Sequence, residues 1–367
     1  MPKAAILYEA NKPLEVADVE VLPPKRGEVL VKVAAGGVCH SDLHVIKGDL
    51  GAPLPVVLGH EGAGVVVEVG EGVTTVQPGD HVILLWRASC GQCYFCNRGR
   101  PALCDLGTGI RWSGRLPDGT TRFRLGGEEI RHFAGVSSFS EYTVLLEEAV
   151  VPIRRDVPLH KAALVGCAVM TGVGAVINTA KVEPGSSVVV IGAGGVGLNV
   201  IQGAALAGAE RVIAVDLLDN KLEYARQFGA THTVNARQAD VVEAVKELTE
   251  GRGADYAFEV IGLPQTIRQA YEVVRRGGTA VVVGVAPTGA EVSLNAASIM
   301  LQEKTLRGSL YGSCVPRVDI PRMLGLYVAG KLKLDELISR EYPIEQINEA
   351  FAALERGEVA RSIIRFG

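Results

Sequence analysis

Ser187-Val188-Val189-Val190-Ile191-Gly192-Ala193-Gly194-Gly195-Val196-Gly197 is the stretch that decides the fold. Four successive apolar residues read as a strand buried on both faces, and the run breaks on a G-x-G-x-x-G. In a chain with 44 glycines that pattern alone carries little weight, but its flanks are in register. The Ala- and Leu-rich segment 197–207 reads as a helix, and the next strand, Arg211–Val215, ends at Asp216. A dinucleotide needs this layout. Gly192 makes the tight turn, Gly194 lets the backbone approach the pyrophosphate, and Gly197 allows close helix–strand packing. The helix N-terminus, at Gly195 and Val196, offers N–H groups to the phosphates. Asp216 is placed to accept the ribose hydroxyls and its charge repels a 2′-phosphate, which favours NAD over NADP; Lys221 lies within reach of the same ribose. The alternative is a glycine turn in an ordinary α/β unit.

Working outward, further strands are predicted at Thr233–Val234, Ala254–Glu259, Thr279–Val283 and Thr305–Ser309. Helices are predicted at Asn220–Phe228, Ala239–Thr249 and Gln265–Arg275. Alternating strands and helices make a doubly wound parallel sheet, assigned to residues 168–311. Residues 1–167 carry short Val-rich strands between Gly and Pro turns, such as Val29–Val33, Gly64–Val69 and Asp80–Leu84, which predict a barrel-like β domain. The tail, 312–367, has helical segments at Ile320–Ala329 and Ile344–Arg356, a last strand at Ser362–Phe366 and no second nucleotide motif, so it is expected to return to the first domain. An α/β chain of two domains also suits a composition that is 48% hydrophobic but only 5% aromatic. A net charge of −4 gives no footing for nucleic acid or an anionic membrane. Pro184–Ala209 is uncharged and long enough to span a bilayer, but its glycines favour strand–turn–helix. The N-terminus lacks a signal-peptide core, so a cytoplasmic location is expected.

Four of the seven cysteines, Cys90, Cys93, Cys96 and Cys104, follow C-x2-C-x2-C-x7-C. Such spacing lets the sulfurs converge on one tetrahedral ion and suits zinc, with all four positions filled by protein. The cluster therefore reads as structural. An iron–sulfur cluster is the alternative, although the ferredoxin run ends C-x3-C-P; a disulfide framework fits less well still. Cys39, His60 and Cys167 stand apart, and spacing alone leaves them as two small buried hydrophobes and a core histidine.

Gly59-His60-Glu61-Gly62-Ala63-Gly64, the four-cysteine spacing, and the segment from Asp118-Gly119-Thr120-Thr121-Arg122-Phe123 to His132-Phe133-Ala134-Gly135 together resemble the zinc-dependent medium-chain alcohol dehydrogenases. The likeness is to their long-loop, animal and plant branch and covers essentially the whole chain. It implies a GroES-like catalytic domain beside the Rossmann domain, two zinc ions per chain, NAD and a homodimer, with a tetramer as the alternative; Thr305–Ser309 is the candidate strand for pairing across a two-fold axis. Cys39, His60 and Cys167 would hold the catalytic zinc with one position open, Asp42 would orient His60, and Glu61 would lie behind the metal. The zinc would acidify an alcohol to its alkoxide, Ser41 and His44 would relay the proton, and hydride would pass to NAD. Thr171 and Val196 match positions that contact the nicotinamide, and Val285 is a further cofactor-binding candidate. Arg361 matches a pyrophosphate contact, and His40 stands where an arginine is common, a departure expected to speed NADH release. Trp86 and Phe133 would wall the substrate pocket, with Leu50 further out and Gly109 and Ala134 widening its mouth. Primary aliphatic or aromatic alcohols are the expected substrates. An S-(hydroxymethyl)glutathione dehydrogenase is the runner-up, disfavoured because Thr108 and Leu50 stand where that branch has an arginine and an acid. A tight-cofactor, acceptor-dependent branch is suggested by Asp319-Ile320-Pro321 and Gln346-Ile347-Asn348. A non-enzymatic NAD- and zinc-binding protein is the reading from a different class.

Overall fold

Val188, Val189 and Val190 have no exposed surface in the computed structural model, which describes residues 1–358 and 360–367. They form the centre of a six-stranded parallel sheet. Its order runs His232–Asn235, Arg211–Asp216, Ser187–Ile191, Ala254–Glu259, Val274–Val282, Thr305–Gly308. Parallel strands covered by helices on both faces need apolar residues on both sides, which is why these runs are continuous rather than alternating. The helix Gly195–Leu206 follows the glycine turn and contains no charged residue, so nearly all of it can be buried. Helix Val241–Leu248 starts where the Asp240 carboxylate accepts the Glu243 N–H at 3.0 Å.

Two compact units result, Ala168–Cys314 around this sheet and Met1–Cys167 with Val315–Gly367. In the latter, a seven-stranded sheet runs Val150–Pro152, His81–Leu85, Glu61–Val69, Glu28–Val38, Arg361–Arg365, Ile338–Tyr342, with Tyr142–Leu146 also pairing with Glu28–Val38. A six-stranded sheet containing Lys3–Leu7, Val56–Val57 and Glu128–His132 completes the unit. The architecture is thus α/β, with two mostly antiparallel sheets in this unit and one parallel sheet in the other. Among the described residues no single helix is long and apolar enough to cross a membrane.

Three local readings need correction. The helix expected to reach Arg275 ends at Val273, because Val274 already pairs with Ala254; a bulge follows, and the Gly277-Gly278 turn, with Gly277 at φ +69°, lets the strand resume at Thr279 opposite Tyr256. The strand expected at Val29–Val33 runs on to Val38. Gly36 and Gly37 are poor strand formers in isolation, yet a Cβ at Gly37 would lie 2.3 Å from Glu61 Oε1, so tertiary packing demands glycine there. Ile338–Tyr342, pairing with the last strand, was hidden by its three exposed polar residues, Ser339, Arg340 and Glu341.

One buried histidine gives the first unit an acid-labile point. His132 is 1% exposed, accepts the Arg122 N–H at its Nε2 (3.1 Å), and lies beside the Arg122–Glu28 ion pair. Burial, reinforced by the Arg122 cation, pushes it down to about 3. The unfolded chain therefore binds a proton that the folded chain refuses, and stability falls as pH drops through about 6.5 towards 3. The slope from this group is at most about 1.4 kcal/mol per pH unit. His132→Gln should flatten the acid limb of a plot of Tm against pH relative to the parent. Parallel acid limbs in the two proteins would show that His132 does not drive it.

Candidate functional site

The first unit's central sheet delivers four donors to one point. Strand Glu28–Val38 ends at Cys39, which stands at the N-terminus of helix His40–Ile46. His60 immediately precedes strand Glu61–Val69, and Cys167 follows the short helical turn Ala163–Gly166. The ligand atoms of Cys39, His60, Glu61 and Cys167 all lie within 4.8 Å of one another, and all four residues are buried. Asp42 Oδ2 stands 3.0 Å from His60 Nδ1, and Asp42 Oδ1 accepts the Gly59 N–H at 3.0 Å. That clamp turns Nε2 towards the sulfurs, where it is buried with no hydrogen-bond partner.

The electrostatics favour a cation. Cys39 is held well below the ordinary thiol range, first by a hydrogen bond from Cys167 and against the cost of burial, while Cys167 is driven up. Burial opposes an imidazolium at His60, but Asp42 and Cys39 outweigh it and raise the group to about 10. Glu61 is pushed up to about 7 by burial, opposed by the Arg361 guanidinium that ion-pairs with its Oε2. Two sulfurs, an imidazole nitrogen fixed by a carboxylate, and a local preference for positive charge form the donor chemistry of a zinc site with two cysteines and one histidine.

The second cluster also closes. Sγ of Cys104 lies 3.5 Å from that of Cys90 and 3.9 Å from that of Cys93, against about 3.8 Å across a tetrahedron of ~2.3 Å Zn–S bonds. The N–H groups of Asp105 and Cys96 pull Cys93 down to about 6, towards the thiolate a metal requires. Gly91–Arg100 contains no buried residue, so the lobe has no core of its own and depends on such a staple. Arg87 anchors it, its Nε and Nη2 donating to the Ala102 carbonyl at 3.0 and 2.8 Å.

Ser41 and His44 are three apart on one helix face; the Ser41 hydroxyl is 3.9 Å from Cys39 Sγ, and His44 Nδ1 is 3.2 Å from Asp49. The Trp86 and Phe133 rings meet the His60 ring edge-on at 6.3 and 5.8 Å. Leu50 is half-buried against the unit's apolar core. A Cβ at Gly109 would meet nothing within 4 Å. Arg361 is 2% exposed and tied to Glu61, a partner the sequence did not reveal. His40, in the same unit, is exposed.

In the other unit Asp216 accepts the N–H groups of Ala193 and Leu217, each at 2.8 Å, which holds it at the mouth of the glycine turn. A Cβ at Gly197 would lie 1.9 Å from the Gly192 oxygen, whereas one at Gly194 would meet no protein atom within 4 Å. Gly197 is thus required by packing, and Gly194 leaves an open cradle that suits a pyrophosphate. Thr171, Val196 and Lys221 are half-buried, and Val285 is exposed. Two residues escaped the sequence reading. Arg87 was hidden because its partner is a backbone carbonyl, and Arg111 because its neighbours are aromatic rings.

Residues 25–155 match the family described as "Alcohol dehydrogenase GroES-like domain", and residues 195–329 that described as "Zinc-binding dehydrogenase". The chain is 45% identical to "Alcohol dehydrogenase class-3" of Cereibacter sphaeroides and 44% identical to "S-(hydroxymethyl)glutathione dehydrogenase" of Paracoccus denitrificans, each over 99% of both chains. The crystal structure of benzyl alcohol dehydrogenase from Acinetobacter calcoaceticus is similar at TM-score 0.95 and 36% identity, covering 100% of this chain and 99% of that one. With both domains matched and both cysteine sites intact, the chain belongs to the zinc-dependent medium-chain alcohol dehydrogenases, enzymes that use zinc and NAD.

Proposed function

We propose that this enzyme oxidises the hydroxymethyl group of a thiol adduct of the S-(hydroxymethyl)glutathione kind. The observation that carries the reading is the set of relatives of that name, 43–44% identical over 99% of this chain. It displaces simple primary alcohols from first place. Cys39, His60 and Cys167 hold the catalytic zinc, Cys90, Cys93, Cys96 and Cys104 the structural one, and the Gly192–Gly197 turn with Asp216 holds NAD. When bound, zinc makes a hydroxyl more acidic and nicotinamide accepts hydride. The chain's own residues do the rest. Asp42 fixes the His60 ring, Trp86 and Phe133 keep water from the reacting carbon, and the Ser41 hydroxyl takes the released proton. His44, one helical turn on and beside Asp49, delivers it to solvent.

Benzyl-type alcohols are the second reading, favoured by the two aromatic rings against His60 and by the benzyl alcohol dehydrogenase likeness. Thr108 also bears on the choice. Its hydroxyl accepts from Arg87 and donates to the Cys104 carbonyl, so it serves the lobe and offers no charge to a substrate acid. The deciding assay is NAD reduction with S-(hydroxymethyl)glutathione, benzyl alcohol and a straight-chain primary alcohol. The adduct is expected to lead in kcat/KM by at least about tenfold. Turnover of benzyl alcohol with none of the adduct would overturn the first reading in favour of the second.

The homodimer reading rests on the exposed edge strand Thr305–Gly308 and on Met300, Leu301 and Leu306, which are 72%, 69% and 41% exposed. A monomer mass in sedimentation at micromolar concentration would remove it.

A further inference from the structure

Arg111 is an arginine without an acid. It lies on helix Asp105–Ser113, one turn after Thr108, and is only half-exposed. Its Cζ is 5.8 Å from the Trp86 ring, 5.8 Å from the Phe133 ring and 5.4 Å from the Trp112 ring. The first two of these rings are the ones set edge-on to His60. Among the described residues, the three buried arginines of the same unit spend their donors on oxygen: Arg87 on a carbonyl, Arg122 on Glu28, Arg361 on Glu61. Among the described residues Arg111 has neither a carboxylate within ion-pairing distance nor a hydrogen-bond acceptor. Ring faces attract its charge but satisfy none of its five N–H groups. Arg87 stands close enough for the two cations to repel, so positive potential accumulates there. Asp42, the acid whose charge acts most on Arg111, is committed to His60.

From this arrangement we infer that Arg111 binds an anionic group of the substrate, so that the enzyme prefers alcohols bearing a carboxylate. The carbinol sits at the Cys39–His60–Cys167 site and the apolar middle of the molecule lies along Trp86 and Phe133. A guanidinium presents a fork that matches a carboxylate, and the half-buried setting strengthens the pair. The inference rests on the alcohol-oxidising reading of the site but not on glutathione. An S-(hydroxymethyl)glutathione carries carboxylates and would qualify, as would a rigid aromatic hydroxy-acid.

The test compares kcat/KM for 4-(hydroxymethyl)benzoate and benzyl alcohol in the parent, Arg111→Met and Arg111→Lys. The parent should prefer the charged alcohol, and Arg111→Met should reduce that ratio by roughly 10- to 100-fold, mostly through KM. Arg111→Lys should retain part of it, having charge without the fork. Both tryptophans of the chain lie beside Arg111, so saturable fluorescence quenching by 4-methylbenzoate gives a readout that needs no turnover; it should vanish in Arg111→Met. An unchanged ratio in Arg111→Met, or equal 4-methylbenzoate binding by both proteins, would overturn the assignment. If S-(hydroxymethyl)glutathione is not oxidised while the benzoate preference still collapses in Arg111→Met, the glutathione reading fails and the anion site stands.

Discussion

Cys39→Ser is expected to fold normally and to lose turnover by roughly a thousandfold or more, the scale of several kcal/mol that metal activation supplies. Cys39 begins helix His40–Ile46 without a side-chain capping bond, so serine costs the helix nothing and is itself a favoured cap. The sulfur nevertheless faces His60 Nε2, Glu61 and Cys167 within 4.8 Å. A hydroxyl there is a far weaker zinc ligand than a thiolate. Cys93→Ser should fail in the opposite order. Because Gly91–Arg100 buries nothing, losing one sulfur should loosen the lobe and lower Tm before it touches the chemistry. Circular dichroism melts beside steady-state rates separate the two outcomes. An unfolded Cys39→Ser, or a Cys93→Ser that is inactive but equally stable, would contradict this division of labour.

Arg361→Met should destabilise the first unit by about 3–5 kcal/mol, the cost of leaving a buried charge unpaired. Arg361 opens the last strand, which pairs with Gly36, Gly37 and Val38 beside Glu61. Glu61 has no exposed surface, and its Oε1 already lacks a hydrogen-bond partner, so removing the guanidinium strands the whole carboxylate. The double variant Glu61→Gln with Arg361→Met should recover part of the loss, because no unpaired charge is left behind. Urea denaturation of the two single variants and the double one measures this coupling. A single Arg361→Met within about 1 kcal/mol of the parent would mean that the pair contributes little.

How far the sequence reached depended on whether neighbours in space were also neighbours in the chain. The glycine turn, its strand and Asp216 are contiguous, and the parallel sheet emerged with its strands at nearly the expected positions. The four-cysteine lobe is equally local. Cys39, His60 and Cys167 are brought together only by the sheet, and family resemblance rather than spacing joined them. Arg361 and Glu61, 300 residues apart, had no local signal at all, because the last strand inserts beside Glu28–Val38 only after folding. Arg111 was obscured differently. A lone arginine in an exposed-looking helix normally pairs with an acid or points to water, and only the structure reveals aromatic rings in place of the acid. Beyond the strand end expected at Val33, Gly36 and Gly37 would weaken a strand in isolation, yet Ser138 and Phe139 crowd the first and the Glu61 side chain the second, so tertiary packing carries the strand through them.

One chain holds two zinc ions with separate tasks, and the number of zinc ions per chain separates those tasks. The parent should carry two. Cys39→Ser should carry one, with Tm nearly unchanged and turnover gone, whereas Cys104→Ser should lose the other ion together with several degrees of Tm. A Cys39→Ser protein that keeps two zinc ions and full activity would contradict the account.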